Sequence, residues 1–542
     1  MLILGTSLLL SGAEAFPVFV DVAAKVGITL MNICGGPSKD YIVEANGNGA
    51  AFFDYDNDGD MDVLIVNGST LENYKKGGDP MVALYKNNGG SFVDVTRQAG
   101  LVKPGWGMGV CVGDYNNDGY QDIYITAYGP SVLFRNNGDG TFSDVTATAG
   151  IANSKWSTNC AFGDYDRDGN LDLYVANYAA FDEKSVARRG KNPKCRYLGI
   201  DVFCGPQGLP GEPDVLFHNN GNGTFTNVTK SAGINDANYY GFGVTFSDFD
   251  NDGWPDIYVA NDGNPNLLFH NNRNGTFSEI GVFSGAGLNE AGRAQSGMGV
   301  AVGDYDGNGL FDLFVTNFAG DTNTLYHNMG KMQFADITAL AGLGETMQYL
   351  GWGAGFEDFD NDGLPDIFVA NGHVYPQMDS SETGQRYAQR KELYRNIGGG
   401  KFRDVARELG GDLLTPKSSR GAAFGDFDDD GNIDVLVINM NDRPSLYRNE
   451  GGTRNHWLTL RLKGTRSNRD AIGARVEIQA DGKTQVGEVR SGGSYLSHSD
   501  MRLHFGLGAA SRVDRIRIRW PNGNVEELPG MEADRFVTIP EK

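Results

Sequence analysis

Seven stretches of nine residues carry the chemistry most legible in this chain. They read DYDNDGDMD from Asp54, DYNNDGYQD from Asp114, DYDRDGNLD from Asp164, DFDNDGWPD from Asp248, DYDGNGLFD from Asp304, DFDNDGLPD from Asp358 and DFDDDGNID from Asp426. Carboxylates this close repel one another unless a cation neutralises them. Oxygen donors at positions 1, 3, 5 and 9, with a glycine at 6 for the bend, suit a hard ion of Ca²⁺ size. The predicted ligands are Asp54, Asp56, Asp58 and Asp62; Asp114, Asn116, Asp118 and Asp122; Asp164, Asp166, Asp168 and Asp172; Asp248, Asp250, Asp252 and Asp256; Asp304, Asp306, Asn308 and Asp312; Asp358, Asp360, Asp362 and Asp366; and Asp426, Asp428, Asp430 and Asp434. Up to seven Ca²⁺ sites result. The second and fifth are the weaker, because Asn116 and Asn308 replace acids, the latter beside Gly307.

An EF-hand would place a bidentate Glu at position 12 between helices. Here position 12 is Ile65, Ile125, Val175, Val259, Val315, Val369 or Val437, so the loop must sit between strands. Upstream runs such as Gly107 to Val112 and downstream runs such as Ile257 to Asn261 have strand character. A third strand ends in an aromatic, a basic residue and asparagine, as in Tyr85-Lys86-Asn87. A fourth is headed by Phe92, Phe142, Phe225, Phe277, Phe334 or Phe402. The seventh unit lacks that fourth strand after Asn449, and Phe19 to Val22 supplies it from the other end of the chain. The expected fold is therefore all-β: a seven-bladed β-propeller over residues 16–452 with metal-binding hairpin loops, followed by a small β-sandwich over 453–542.

If every acidic loop joins strands one and two, all seven lie on one face of the ring. The opposite face then carries the varied chemistry, with Trp106, Met108, Trp156, Tyr240, Phe242, Met298, Trp352 and Arg420 at its inner rim. Such a rim either stacks on a ligand or plugs the channel mouth. The connections Asn67 to Val82, Tyr178 to Asp214 and Gly372 to Glu392 emerge there too. His218, His270 and His327 occupy a recurrent basic position on strand three and read as exposed. Nucleophile elbow, P-loop and HExxH patterns are all missing, so no catalytic residue is assigned.

The 542 residues carry 77 glycines, about twice the usual share of roughly 7%, as many tight turns require. A net charge of −23 sets the chain against nucleic acid and anionic lipid. No apolar run is long enough for a membrane span. Leu2 to Leu10 followed by Ala13-Glu14-Ala15 reads as an export signal over residues 1–15, with a secreted, periplasmic or cell-surface destination. Cys195 and Cys204 form the disulfide candidate. Cys111 and Cys160 read as small buried residues, and Cys34 stays unassigned.

The acidic loops and their flanking strands resemble the FG-GAP, or VCBS, repeats of integrin α-chain propellers. Asn455-His-Trp457, Gly493-Ser-Tyr-Leu-Ser497, His504-Phe-Gly-Leu-Gly508 and Arg519-Trp-Pro-Asn-Gly523 resemble the ASPIC/UnbV domain. Together they look like a bacterial-type member of the cartilage acidic protein family. The resemblance implies bound Ca²⁺ and ligands on the face opposite the metal loops. The expected function is an exported calcium-binding scaffold that recognises a glycan or protein. The alternative is a secondary-metabolite tailoring or cyclising enzyme with the channel mouth as its pocket, for which Arg420, Glu44 and Glu357 should converge.

Overall fold

The structure, a computed structural model, describes residues 16–235 and 237–542. The segment 1–15 read as an export signal lies outside the described residues.

Each acidic loop is the turn of an antiparallel hairpin, because the runs on either side are β-branched, aromatic and buried on both faces. Among the described residues the repeat region forms seven four-stranded antiparallel sheets. Their first strands are Ala50–Phe53, Gly107–Gly113, Ser157–Gly163, Gly241–Ser247, Gly297–Gly303, Gly351–Glu357 and Ser419–Gly425. Each first strand packs on the next, and the seventh packs back on the first. The sheets thus close into a propeller, numbered here as blades one to seven in chain order. Neighbouring inner strands approach closely enough that a Cβ on Gly299 would overlap the Trp352 carbonyl oxygen. Blade seven takes its outer strand from the N-terminus: Phe19–Asp21 pairs with Ser445–Asn449, Phe19 opposite Asn449.

The asparagine that ends every third strand holds the ring together. Its side-chain amide donates to the backbone carbonyl at loop position 2 of the preceding blade, at 2.7–2.9 Å in all seven cases. Asn136 reaches Tyr55, and Asn87 of blade one reaches Phe427 of blade seven, so the last bond of the series closes the circle.

The C-terminal region is a sandwich of two sheets. In one, His456–Lys463 lies between Leu503–Gly508 and a parallel Arg535–Pro540. In the other, Arg475–Ala480 lies between Lys483–Glu488 and Arg512–Arg519, with Val525–Glu532 at the edge. Alternating apolar residues, among them Leu458, Leu460, Val476, Ile478, Ile516, Ile518 and Trp520, fill the space between. This domain sits on the acidic-loop face and sends one segment into the propeller channel. Ser494 exchanges two backbone hydrogen bonds with Val300, and His498 bonds in the same way to Ala50 and Phe52. Leu496 accepts from the Val110 N–H at 3.1 Å, and Tyr495 reaches the Asn46 carbonyl at 2.9 Å. A Cβ on Gly49 would overlap the Leu496 carbonyl, which explains why the inner strand of blade one starts beside a glycine.

Candidate functional site

The acidic loops share one backbone. Position 4 is left-handed in each, at φ 58° for Asn57, 60° for Asn251 and 73° for Gly307, and the glycine at position 6 is left-handed as well. That pair of conformations favours Asn, Asp and Gly. In loops two to seven the first aspartate accepts from the N–H groups of positions 5 and 6; Asp114 does so at 3.0 and 2.7 Å. The aspartate at position 9 is buried everywhere. One of its oxygens accepts from the N–H of position 2, the other from the backbone N–H of the ring-closing asparagine, as Asp62 does with Tyr55 at 3.0 Å and Asn87 at 2.8 Å. Position 9 therefore joins hairpin turn to third strand, a task the sequence pattern alone does not disclose.

The loops have the character of a donor set for a cation. Asp54, Asp56 and Asp58 bring one oxygen each within 4.8 Å of one another, as do Asp164, Asp166 and Asp168, and Asp248, Asp250 and Asp256. Buried oxygens Asp54 Oδ1, Asp56 Oδ1 and Asp428 Oδ1 have no hydrogen-bond partner. Burial pushes the Asp62 carboxyl up to about 8 and Asp304 up to about 6. Asp114 rises to about 7, through burial first and then the nearby Asp470. Oxygen-only, crowded and desolvated, these residues fit a hard divalent ion.

Two kinds of cationic side chain already attend the loops. From strand three, Lys86 pairs with Asp56 and Asp58, and Arg395 with Asp360 and Asp362. His218, His270 and His327 do the same toward Asp172, Asp256 and Asp312, so these histidines are partly buried loop partners rather than exposed blade residues. The hydrogen bond to Asp172 raises His218 to about 9. From the C-terminal domain, Arg461 pairs with Asp54 at 3.1 Å, Arg519 with Asp248, and Arg502 with Asp429 at 2.8 Å. Arg469 meets Asn117, Arg475 the Gly309 carbonyl and Asn455 the Asp360 carbonyl, while Arg167 of the third loop donates to Pro521. The cap touches all seven loops.

The opposite end is closed. Trp106, Met108, Trp156, Phe242, Met298, Trp352 and Arg420 are buried, and Tyr240 alone of the expected rim is partly exposed, its hydroxyl bonded to the Leu209 carbonyl. The apolar ones form one core with Phe181, Phe203, Tyr375 and Met378 from the covering connections, with Val43 of the turn Ile42–Glu44, and with Tyr495 and Leu496 of the inserted segment. Arg420 lies 4.2 Å above the Trp352 ring, its guanidinium spent on the carbonyls of Ala45, Gly372 and Ser419. Of the two readings of this rim, ligand platform or plug of the channel mouth, burial of these side chains fits the plug, because the long connections fold inward over them. The pocket that the enzyme alternative needs is filled as well. Glu44 and Arg420 belong to this end, whereas Glu357 faces the C-terminal domain, so the three do not converge.

Cys195 and Cys204 are disulfide-bonded, as expected. Cys111 and Cys160 are corrected from separate buried thiols to a second disulfide, joining the first strands of blades two and three. Cys34 is free and buried.

Residues 54–125, 114–175, 200–259, 248–315 and 305–369 match the FG-GAP-like repeat, together more than half of the chain, and residues 464–542 match ASPIC and UnbV. The chain is similar to cartilage acidic protein 1 of Mus musculus, 30% identical over 279 residues, covering 50% of this chain and 40% of that protein. It is also similar to cartilage acidic protein 1 of Homo sapiens, 29% identical over 361 residues, covering 64% and 51%. The chain spans about half the length of the curated relatives it matches. Among solved structures, an Agrocybe aegerita lectin described as recognising non-reducing terminal N-acetylglucosamine is 16% identical with a TM-score of 0.41, covering 74% of this chain and 91% of its own, a distance at which nothing about binding carries over. The repeat match, over more than half of the chain, and the C-terminal match make the chain a member of the FG-GAP-like repeat family with a C-terminal ASPIC and UnbV domain, similar to cartilage acidic protein 1.

Proposed function

We propose that this protein is an extracellular, calcium-binding propeller scaffold that presents a surface for recognition or adhesion of a glycan or protein. The observation that carries the reading is the sevenfold recurrence of one acidic loop, with crowded carboxylates and, in loops one and seven, buried oxygens left without hydrogen-bond partners. The aspartates at positions 1, 3, 5 and 9, with Asn116 and Asn308 in loops two and five, would hold the ions. Bound Ca²⁺ would supply the counter-charge that the attending lysine, arginine and histidine side chains leave incomplete. The chain's own residues do the rest: position 9 ties each turn to strand three, and the asparagine behind it ties blade to blade.

Two disulfides suit an oxidising compartment, and similarity to cartilage acidic protein 1 supports an extracellular setting. No helix among the described residues is long and apolar enough to cross a membrane. With the channel mouth plugged, recognition falls to the outer surfaces of the covering connections. There the connection 178–214, which carries the Cys195–Cys204 disulfide, exposes Lys184, Lys191 and Lys194 on a molecule of net negative charge. The test is a glycan and protein array probed in Ca²⁺ and in chelator. Binding that needs Ca²⁺ and weakens when these lysines become glutamate supports the reading; an array without such a ligand counts against it.

A further inference from the structure

Where the C-terminal domain caps blades five and six, a cavity of about 450 Å³ remains between the two. Its walls are the inner strands at residues 300–303 and 354–357, the strand Lys483–Glu488, and residues 490–505 of the segment that enters the channel. Lys483, Thr484, Asp306 and Gly307 are exposed at its opening, so the space communicates with solvent.

Most of the polar lining is already committed. Arg502 is held by Asp500 and Asp429, His504 lies between Thr459 and Asn361, and Glu488 accepts from Ser247. Two groups are not. Arg490 uses Nη2 on the Val302 carbonyl and lies 5.3 Å from the centre of the Phe311 ring, while its buried Nη1 has no partner. The Glu357 carboxyl makes no hydrogen bond with any described residue, and the Arg490 charge acts on it without a direct ion pair. A cationic donor and an anionic acceptor thus line the same space with no direct bond between them, which leaves room for a ligand or water to bridge them. Phe356, Phe424 and Phe505 supply apolar faces around them.

The chemistry of an occupant follows. An anion satisfies Arg490 but meets Glu357, and a cation does the reverse. A neutral molecule with hydroxyls on adjacent carbons donates to one and accepts from the other, and turns a C–H face to the phenyl rings. We infer that this interdomain cavity is a binding site for a neutral saccharide of one or two residues. Cavities of this volume at domain junctions are ordinary small-molecule sites. The inference does not depend on metal in the loops, and its test is run in saturating Ca²⁺ so that the two readings fail separately.

The experiment is calorimetric titration of the full chain with glucose, galactose, mannose, N-acetylglucosamine, cellobiose and lactose, with glucosamine and N-acetylneuraminic acid as charged counterparts. At least one neutral sugar binds with one-to-one stoichiometry. Glu357→Gln and Arg490→Met each weaken it about tenfold or more, as expected for losing a buried hydrogen bond to a charged group. Thr484→Trp, at an exposed position on the opening, lowers affinity with an unchanged thermal midpoint, which keeps the test decisive should an interior variant misfold. Silence from every neutral sugar, affinity indifferent to all three substitutions, or preference for a charged counterpart overturns the assignment.

Discussion

The two ends of the ring cover a central opening by opposite means. At the mouth, three long connections and the tip of the inserted segment bury aromatic side chains against one another, and the Arg420 charge beside them is absorbed by carbonyls and the Trp352 ring. At the loop end, a separate domain lays arginines over a field of carboxylates and leaves a polar cavity behind. Apolar surfaces close up because bringing them together releases the water between them. Charged surfaces keep their spacing, since each carboxylate must find a partner before it can be buried. The end richest in aromatics is therefore core, and open space survives where the charges are.

If this contrast is right, stability should respond to ions at one end only. Chelation is expected to give the largest effect: each saturated site contributes about 3 kcal/mol at a hundredfold excess of ion over its Kd, and several are lost together. Scanning calorimetry in Ca²⁺ and in EDTA checks it, and coincident midpoints would break the comparison. Next in size is Trp352→Ala, which opens a cavity in the mouth core at about 4 kcal/mol. Its cost, read from denaturant midpoints, should be the same with and without Ca²⁺. A metal-dependent cost would mean that the two ends are coupled through the inserted segment.

The mouth end also holds a buried lysine without a hydrogen-bond partner for its ammonium, and it sharpens the comparison through pH. Lys391 is buried, its Nζ has no hydrogen-bond partner, and the Tyr447 ring centre is 5.7 Å away. Burial lowers its pKa to about 7, from 10.5. Between those values the unfolded chain keeps a proton that the folded chain has released, so this group makes stability rise with pH across that window. Lys391→Met should remove the rise and, near pH 6, stabilise the fold by about 2 kcal/mol. Urea melts of both proteins from pH 6 to 10 test it, and parallel pH profiles would refute the assignment.

What the sequence discloses, and what it hides, follows from how far each interaction reaches. The hairpins, the count of seven sheets and the completion of blade seven by Phe19–Asp21 are legible because alternation and repetition are local and recur. The Cys195–Cys204 pair is legible for the same reason. The Cys111–Cys160 bond runs sideways between repeats, where periodicity says nothing of which neighbours meet. Strand parity puts Trp106, Trp156 and Trp352 at the channel end, where they lie, but their burial depends on where residues 178–214 and 372–390 fold. Gly493 to Ser497 is recognisable as a family phrase, yet nothing in its composition tells that it threads the ring. The third-strand asparagine is visible seven times over, and its partner in the preceding blade can be found only once the blades are side by side.

The smallest effect concerns the seam between the cap and the loops. Arg461 bonds Asp54 at 3.1 Å with its side chain 39% exposed, whereas Arg502, 8% exposed, is held by Asp500, Asp429 and the Asp426 carbonyl. Solvent screens the first pair, so Arg461→Gln should cost below about 1 kcal/mol and lose even that in high salt. Arg502→Gln strands the buried Asp500 carboxylate and should cost about 3 kcal/mol with little salt dependence. Because Asp54 is also a predicted ion ligand, Arg461→Gln should leave Ca²⁺ affinity at the first loop unchanged or tightened, as measured by competition with a chromophoric chelator. Weakened affinity would mean that Arg461 positions Asp54 for the ion, and that the cap belongs to the metal site instead of merely resting on it.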